Sequence, residues 1–323
     1  MEVWHYINDN LNATGKIILL WVLESEGSSP GRQGFKMAVS ANGFYGTIGG
    51  GIMEHKLVEK AKTLLINDVN EISLIRQYHD KQHSKDQSGM ICSGSQLIAF
   101  VPVSGNDKKI IEGVVKSPEN GTKDVVCLSP KGININVAGQ KVIGLKYSTE
   151  NDWQYAEYIN QRPVIHIIGG GHVGFALSEL MSYLGFYIKL YDNRPDLNTF
   201  AHNIFANEKI IVDYNKIDDI IKGNPDEYVV IMTVGYRDDK IVFRKLMDKK
   251  FLYIGMLGSE AKIKTLFTEF EQKGIDPTRW KHAFIPIGVN IFSKTAKEIA
   301  ISISAEIIRE KNKNLPTVRS FLD

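Results

Sequence analysis

Two kinds of apolar pattern follow one another along this 323-residue chain and divide it near the middle. In the second half, strand-like runs at Val164–Ile168, Phe186–Tyr191, Lys209–Val212, Glu227–Val234 and Phe251–Met256 alternate with segments of helical period. The first such helix, Val173–Leu184, places Ala176, Leu177, Leu180, Met181 and Leu184 on one face, and Gly185 closes it. A second runs over Glu260–Lys273, with Ser259 as its cap and Gly274 as its end, and a third carries Ala296, Ile299, Ala300, Ile303 and Ile307. Regular strand–helix alternation predicts a doubly wound parallel sheet.

The first half is less regular. Lys16–Glu24 reads as a buried strand, and Lys36–Ser40 with Phe44–Ile48 flank Asn42-Gly43, a hairpin signal. Leu57, Val58, Ala61, Leu64 and Leu65 recur at helical spacing within Met53–Ile66. Strands are predicted at Glu71–Tyr78, Gln96–Val103 and Asp124–Ser129, and a helix at Asp107–Lys116. Ile133–Val137 and Lys141–Leu145 are expected to form a closing hairpin across Ala138-Gly139-Gln140, and the polar stretch Tyr147–Arg162 is expected to be a connector. The predicted fold class is therefore α/β: a C-terminal Rossmann-like parallel sheet with a separate N-terminal α/β mixed-sheet domain. The expected boundaries are 1–147, a connector over 148–162, and 163–323 with its C-terminal helix.

Composition narrows the classes. A hydrophobic share of 43% and a charged share of 24% are those of an ordinary globular protein. A formal net charge of +2, with no block of like charges, implies no commitment to nucleic acid. The start of the chain lacks the basic and apolar regions of a signal peptide, and no apolar run is long enough to span a bilayer. Two cysteines, Cys92 and Cys127, argue against a disulfide framework, so a cytoplasmic setting is expected.

The candidate chemistry sits in two glycine runs. Gly169, Gly171 and Gly174 fit G-x-G-x-x-G between a predicted strand and a predicted helix, with Asp192 after the next strand. In such a turn the first glycine permits the bend, the second lets a pyrophosphate approach the backbone, and the third lets the helix lie close on the strand. The phosphate then meets unpaired N–H groups at a helix N-terminus. Asp192 would accept from ribose hydroxyls, and Arg194 could meet a phosphate. Upstream, Gly49-Gly50-Gly51 again lies between a strand and a helix. It reads either as plain loop glycine or as a second anion cradle with Arg32 or Lys36 nearby; lacking the following lysine and hydroxyl residue, it is no Walker-type loop. His79, His83 and Cys92 invite a zinc reading, but a fourth ligand at a convincing spacing is missing. Cys92, beside Ser93-Gly94 at a loop end, reads as either a reachable thiol or an inert one, whereas Cys127 within Val125–Leu128 reads as a small buried hydrophobe.

Taken together, Gly27-Ser28-Ser29-Pro30 with Gly34-Phe35-Lys36-Met37, Gly46–Gly51 with Met53-Glu54, and Cys92-Ser93-Gly94 resemble motifs of the xanthine dehydrogenase accessory factor family, the XdhC/CoxI type. His166–Gly174, Asp192–Pro195, Ile254–Ser259 and Lys294-Thr295 with Glu298–Ala300 are similar to its Rossmann domain and C-terminal part. The chain departs from the pattern at Thr233-Val234-Gly235-Tyr236, where the family often has two histidines, at Ile291–Ala296, and at Ser93, where the family has glycine. The resemblance implies a non-catalytic maturation factor rather than a metabolic dehydrogenase. Such a protein binds molybdenum cofactor, the molybdopterin with or without an attached nucleotide. It protects the cofactor, assists its sulfuration by a cysteine desulfurase, and delivers it to a molybdenum hydroxylase apo-enzyme. A homodimer is expected, and the charge balance and the lack of a long apolar run lead to the expectation of no nucleic acid or membrane partner. The resemblance places Cys92 as a thiol near the metal, a soft ligand that such a centre favours. Two other readings stay open on the residues alone: an NAD(P)-dependent oxidoreductase acting on a small carbonyl substrate, and a nucleotide-sensing regulatory module.

Overall fold

The computed structural model describes residues 1–27, 29–78, 94–117, 124–136, 143–160 and 162–313. The chain divides into two compact units, Met1–Gln161 and Arg162–Leu315.

In chain order the first unit holds α1 (Glu2–Thr14), β1 (Lys16–Gly27), β2 (Lys36–Ser40), β3 (Gly43–Gly46), α2 (Gly51–Ile66), β4 (Ser73–Tyr78), β5 (Gly94–Ser104), α3 (Lys108–Lys116), β6 (Val125–Ser129), β7 (Gly132–Asn136), β8 (Gly144–Thr149) and β9 (Asp152–Tyr158). An antiparallel sheet of order β3-β2-β1-β5-β4 stands beside a four-stranded sheet of order β7-β6-β9-β8. The run from Ile17 to Leu23 is fully buried because β1 is covered on both faces. Ile17, Leu19, Trp21 and Leu23 meet α1, α3 and the four-stranded sheet, whereas Ile18, Leu20 and Val22 meet Leu57, Val58 and Ala61 of α2. A strand buried on both faces reads as a continuous apolar run rather than as alternation.

Two expectations are corrected here. The stretch 148–162, taken as a connector, contains β9, an inner strand paired with both β6 and β8 that buries Trp153, Tyr155 and Ala156. Nor do Ile133–Val137 and Lys141–Leu145 make a hairpin with each other: β7 and β8 lie on opposite edges of the sheet. Each strand instead closes a tighter hairpin with its other sequence neighbour, β6 with β7 across Ser129↔Gly132 and β8 with β9 across Thr149↔Asp152. The helix α1, which buries Trp4, Ile7 and Leu11, was not anticipated.

In the second unit β10 (Val164–Ile168), α4 (His172–Tyr183), β11 (Tyr187–Asp192), α5 (Asn198–Ala201), β12 (Glu208–Ile211), α6 (Ile217–Ile220), β13 (Asn224–Ile231), α7 (Tyr236–Leu246), β14 (Phe251–Met256), α8 (Glu260–Gln272) and α9 (Ala296–Asn312) follow one another. All strands are parallel in the order β12-β11-β10-β13-β14. The strand order reverses at β10, so the loops after β10, β11, β13 and β14 crowd the carboxyl edge where such sheets bind ligands. Each face is covered, one by Leu177 and Met181 of α4 with Ile303 and Ile307 of α9, the other by Phe243 of α7 with Leu266 and Phe270 of α8. Among the described residues no helix is long and apolar enough to cross a membrane.

Cys127 is 5% exposed, and burial pushes its thiol pKa up. A thiol held protonated and out of solvent is a poor nucleophile. We expect Cys127 in the native protein to escape a charged alkylating reagent at neutral pH and to react after denaturation, as read by peptide mass spectrometry. Labelling at equal rates in both states would show that β6 is not packed as described.

Candidate functional site

The turn after β10 is shaped by what its glycines touch. Gly169 has φ +116°, and a Cβ there would lie 2.2 Å from Met232 O, on the loop following β13. A Cβ on Gly174 would lie 2.1 Å from Gly169 O, so α4 rests directly on the turn. Gly171 differs: among the described residues, a Cβ there would meet no atom within 4 Å. It is the N-cap of α4 and, as a glycine, offers no side-chain cap; among the described residues no other side chain caps the helix. The first amides of α4 are thus left to face an anion, with open space in front of Gly171.

The structure sets Asp192 where the sequence predicted, at the end of β11. Its side chain is fully buried. Oδ1 accepts from Arg194 N (3.0 Å) and Arg194 Nε (2.8 Å), and Oδ2 accepts from Gly170 N (2.7 Å) and Arg194 Nη2 (2.9 Å). A carboxylate has about four acceptor sites, and all four are filled. Burial alone would raise its pKa. The Arg194 guanidinium and the Gly170 and Arg194 amides outweigh that and hold the carboxyl below its ordinary value. In this structure the acid braces the glycine turn, and Arg194 is its clamp. Thr199 Oγ1 adds a bond to Gly170 O (2.6 Å), fastening the turn from the α5 side.

The other glycine run is built on the same plan. Gly49, Gly50 and Gly51 all have positive φ, from +76° to +130°. The loop before β2 packs on them, since a Cβ on Gly49 would lie 2.5 Å from Gly31 N, and one on Gly31 would lie 2.1 Å from Ile48 O. One oxygen of Glu54, Oε2, accepts from Thr47 Oγ1 (2.6 Å), Ile48 N (2.9 Å) and Gly50 N (2.9 Å). A side-chain carboxylate thus occupies the part of the loop read as an anion cradle. Sequence reasoning missed this role for Glu54; an acid in the first turn of the helix after the glycines was the signal.

Of the cations expected beside that loop, Lys36 is committed elsewhere. Its side chain is 11% exposed, bonds Gly34 O (2.8 Å), pairs with Glu157, and stacks over the Trp21 ring at 4.7 Å. Glu157 also accepts from Tyr155 OH (2.9 Å) and Trp21 Nε1 (3.3 Å). Arg32 is exposed and bonds only weakly to Gly27 O (3.2 Å). At the same end of the sheet Gly27 is the register partner of Gly94, and Ser29 Oγ bonds Gln96 Oε1 (3.0 Å). Two of the sequence motifs and the close of a third therefore meet at one end of β1 and β5. Ser28, His79, His83, Cys92 and Ser93 lie outside the described residues. Among the described residues there is no group of three or more His, Cys, Asp or Glu that could hold a metal ion.

A third cluster stands behind the turn of the second unit. Asp239 of α7 is 1% exposed. Its Oδ1 accepts from Thr233 N (2.8 Å) and Thr233 Oγ1 (2.6 Å), and its Oδ2 pairs with Lys262 Nζ. On the sheet itself, the ring of the buried His166 lies between Tyr191 OH (2.9 Å) and the part-buried Glu227 Oε2 (3.0 Å).

Comparison with known proteins agrees with these motifs. The model of the XdhC Rossmann domain matches residues 165–307, and that of the XdhC and CoxI family matches 11–78. The uncharacterized protein YqeB of Escherichia coli (strain K12) is 25% identical over 298 residues, which is 90% of this chain and 43% of that protein. A Bacillus subtilis (strain 168) protein named as a probable xanthine dehydrogenase subunit is 26% identical over 159 residues, 49% of this chain and 46% of that one. The chain thus matches less than half the length of these curated relatives. A crystal structure of a Bacillus halodurans protein named a xanthine dehydrogenase superposes with a TM-score of 0.70 at 23% identity and covers 96% of both chains, a likeness of fold. With both family models matched on the two units that carry the motifs, this chain belongs to the XdhC and CoxI family.

Proposed function

We propose that this chain is an accessory protein for a xanthine-dehydrogenase-type molybdenum hydroxylase, and that it binds a phosphorylated form of the molybdenum cofactor through the Gly169–Gly174 turn. The observation that carries the reading is the pairing of an open Gly171 at an uncapped helix N-terminus with an Asp192 whose acceptor sites are all filled. The turn retains what a phosphate needs. It lacks the free acid by which a dinucleotide fold usually holds the ribose of NAD.

The residues fit the phosphate end of such a cofactor. Amides of His172, Val173 and Gly174 would receive it, Gly171 leaves room for its approach, and Asp192 with Arg194 keeps the turn in shape. When bound, the cofactor supplies a metal–dithiolene centre for its recipient enzyme. This chain's part is to hold the phosphate and keep the turn rigid. Cys92 enters the reading as the thiol near the metal, by its motif. Sulfuration by a cysteine desulfurase, delivery to the apo-hydroxylase and a homodimeric state belong to the same reading. Light scattering on the purified protein checks the last of these.

The experiment is anaerobic purification followed by mass spectrometry of the bound ligand and titration with released molybdenum cofactor, in wild type, Gly171→Val and Cys92→Ala. Wild type is expected to bind the cofactor and to show no NADH turnover with small carbonyl compounds. Gly171→Val is expected to stay folded, because space surrounds that position and the poorer N-cap costs only about 1 kcal/mol, yet to lose at least tenfold in affinity by blocking the phosphate's approach. Absence of cofactor binding in wild type, or unaltered binding in Gly171→Val, would sink the proposal.

A further inference from the structure

The carboxyl edge of the parallel sheet carries a cation that the glycine turn alone does not explain. Lys262 lies in the first turn of α8, where its backbone N–H is capped by Ser259. A positive charge there opposes the helix dipole, so this is an unfavourable place for a lysine unless it answers to a negative group. One such group is Asp239, buried to 1% exposure and fixed by the two bonds from Thr233. Thr233 in turn abuts the phosphate turn: a Cβ on Gly169 would lie 3.1 Å from Thr233 N and 2.2 Å from Met232 O. Gly169, Thr233, Asp239 and Lys262 therefore form one contiguous chain of contacts from the turn to the start of α8.

Lys262 has hydrogen-bonding capacity beyond its partner. Its ammonium has three donors, of which Asp239 takes one, and the side chain is 25% exposed. Arg194, on the opposite flank of the same turn, spends Nε and Nη2 on Asp192. The apolar anchoring of α8 belongs to Ile263, Leu266 and Phe270 and does not need Lys262. In sheets of this kind a diphosphate lies across the crevice at the switch point, reaching from one flank of the glycine turn toward the other. The second phosphoryl group would then lie on the β13–β14 flank, that of Lys262.

We propose that Lys262 is the second anion-binding group of this site, that Asp239 is its positioning residue, and that together they select a ligand with two adjacent phosphoryl groups over one with a single phosphate. This rests on the reading that the Gly169–Gly174 turn binds phosphate. For a cofactor, it means the form joined to a nucleotide through a diphosphate.

The test is calorimetric titration of the full chain with inorganic pyrophosphate and inorganic phosphate at fixed ionic strength. Wild type is expected to bind pyrophosphate at least tenfold more tightly. Lys262→Met alone would strand the buried Asp239 charge, so the deciding variant is the double change Lys262→Met with Asp239→Asn. It is expected to lose about tenfold on pyrophosphate and to leave phosphate unchanged. Lys262→Arg, which keeps the charge and its donors, is expected to retain the preference. A merely structural ion pair would lower the melting temperature of the double variant without separating the two probes, and that result overturns the proposal. If wild type binds both probes equally and Gly171→Val abolishes both, the glycine-turn reading stands and the role of Lys262 falls. If wild type binds neither probe, both fall together.

Discussion

Gly174→Ala is expected to destabilise the second unit by about 2 kcal/mol, although alanine is the better helix former. The new methyl carbon would stand 2.1 Å from Gly169 O and 3.7 Å from Ile167 Cγ2. The first neighbour is backbone, so no rotamer change relieves the clash. Either α4 lifts from β10 or the Gly169 peptide turns. Overpacking of this kind costs about 1–3 kcal/mol and occasionally more. The helix-propensity gain of about 1 kcal/mol offsets part of a cost at or above the top of that range. For a unit of this size the net loss lowers the melting temperature by roughly 4–8 °C. Differential scanning calorimetry reads this directly, and Gly171→Val in the same experiment is expected to lose only the cost of a poorer N-cap, about 1 kcal/mol or less. Equal melting of Gly174→Ala and wild type would mean that α4 does not rest on the turn. The pair of variants thus separates a glycine needed for packing from one needed for access.

Asp192→Ala is expected to cost about 2–3 kcal/mol at neutral pH. It removes the acceptor for four donors, leaves Gly170 N without its partner, and strands the Arg194 guanidinium. The value lies below that for a fully buried pair because the Arg194 side chain is 39% exposed and water takes up part of the loss. The pH dependence has a definite sign. Burial raises the Asp192 pKa, but Arg194 and the two amides outweigh it, so the folded value lies below the unfolded one. Stability from this group is therefore fully present above the ordinary aspartate pKa of about 3.9 and is lost as pH falls from there through the folded value. Urea midpoints at neutral pH and between about pH 4 and 2 are expected to converge for wild type and Asp192→Ala on acidification. A constant gap across that window would show that the carboxylate charge is not what holds the turn.

How much of this was legible in the sequence depends on the range over which each feature is decided. The second unit was readable because each parallel strand announces itself by a short apolar run and each helix by its own period, as in Ala176, Leu177, Leu180 and Met181 of α4. In the first unit β9 was not. Asp152–Tyr158 buries Trp153 and Tyr155 while its other residues include an aspartate, a glutamine and a glutamate, so the stretch looks like a linker. Only its partners β6 and β8 make it a strand. The three glycines of the turn were placed correctly, but the direction of the Asp192 side chain was not. Arg194 closes over it from two residues away, which spacing alone leaves undecided. Lys36 illustrates the same limit over a longer range, since its counter-charge, Glu157, follows 121 positions later. Asp239 and Lys262 escaped notice because neither carries a motif by itself.

The pairing of β1 with β5 has a consequence for how the first unit is made. Register partners run from Lys16 with Ser104 to Gly27 with Gly94, so the inner strand of the sheet is separated from its main neighbour by most of a hundred residues. Pairings of such sequence separation form slowly, because loop closure must precede the contacts that reward it. During synthesis the apolar run Ile17–Leu23 therefore leaves the ribosome well before β5 exists to cover its edge, with only the β2–β3 hairpin at hand on the other side. An uncovered strand of that composition is prone to self-association. Yield of the soluble chain is thus expected to respond to growth temperature and chaperone supply through the nascent first unit rather than through the stability of the finished fold.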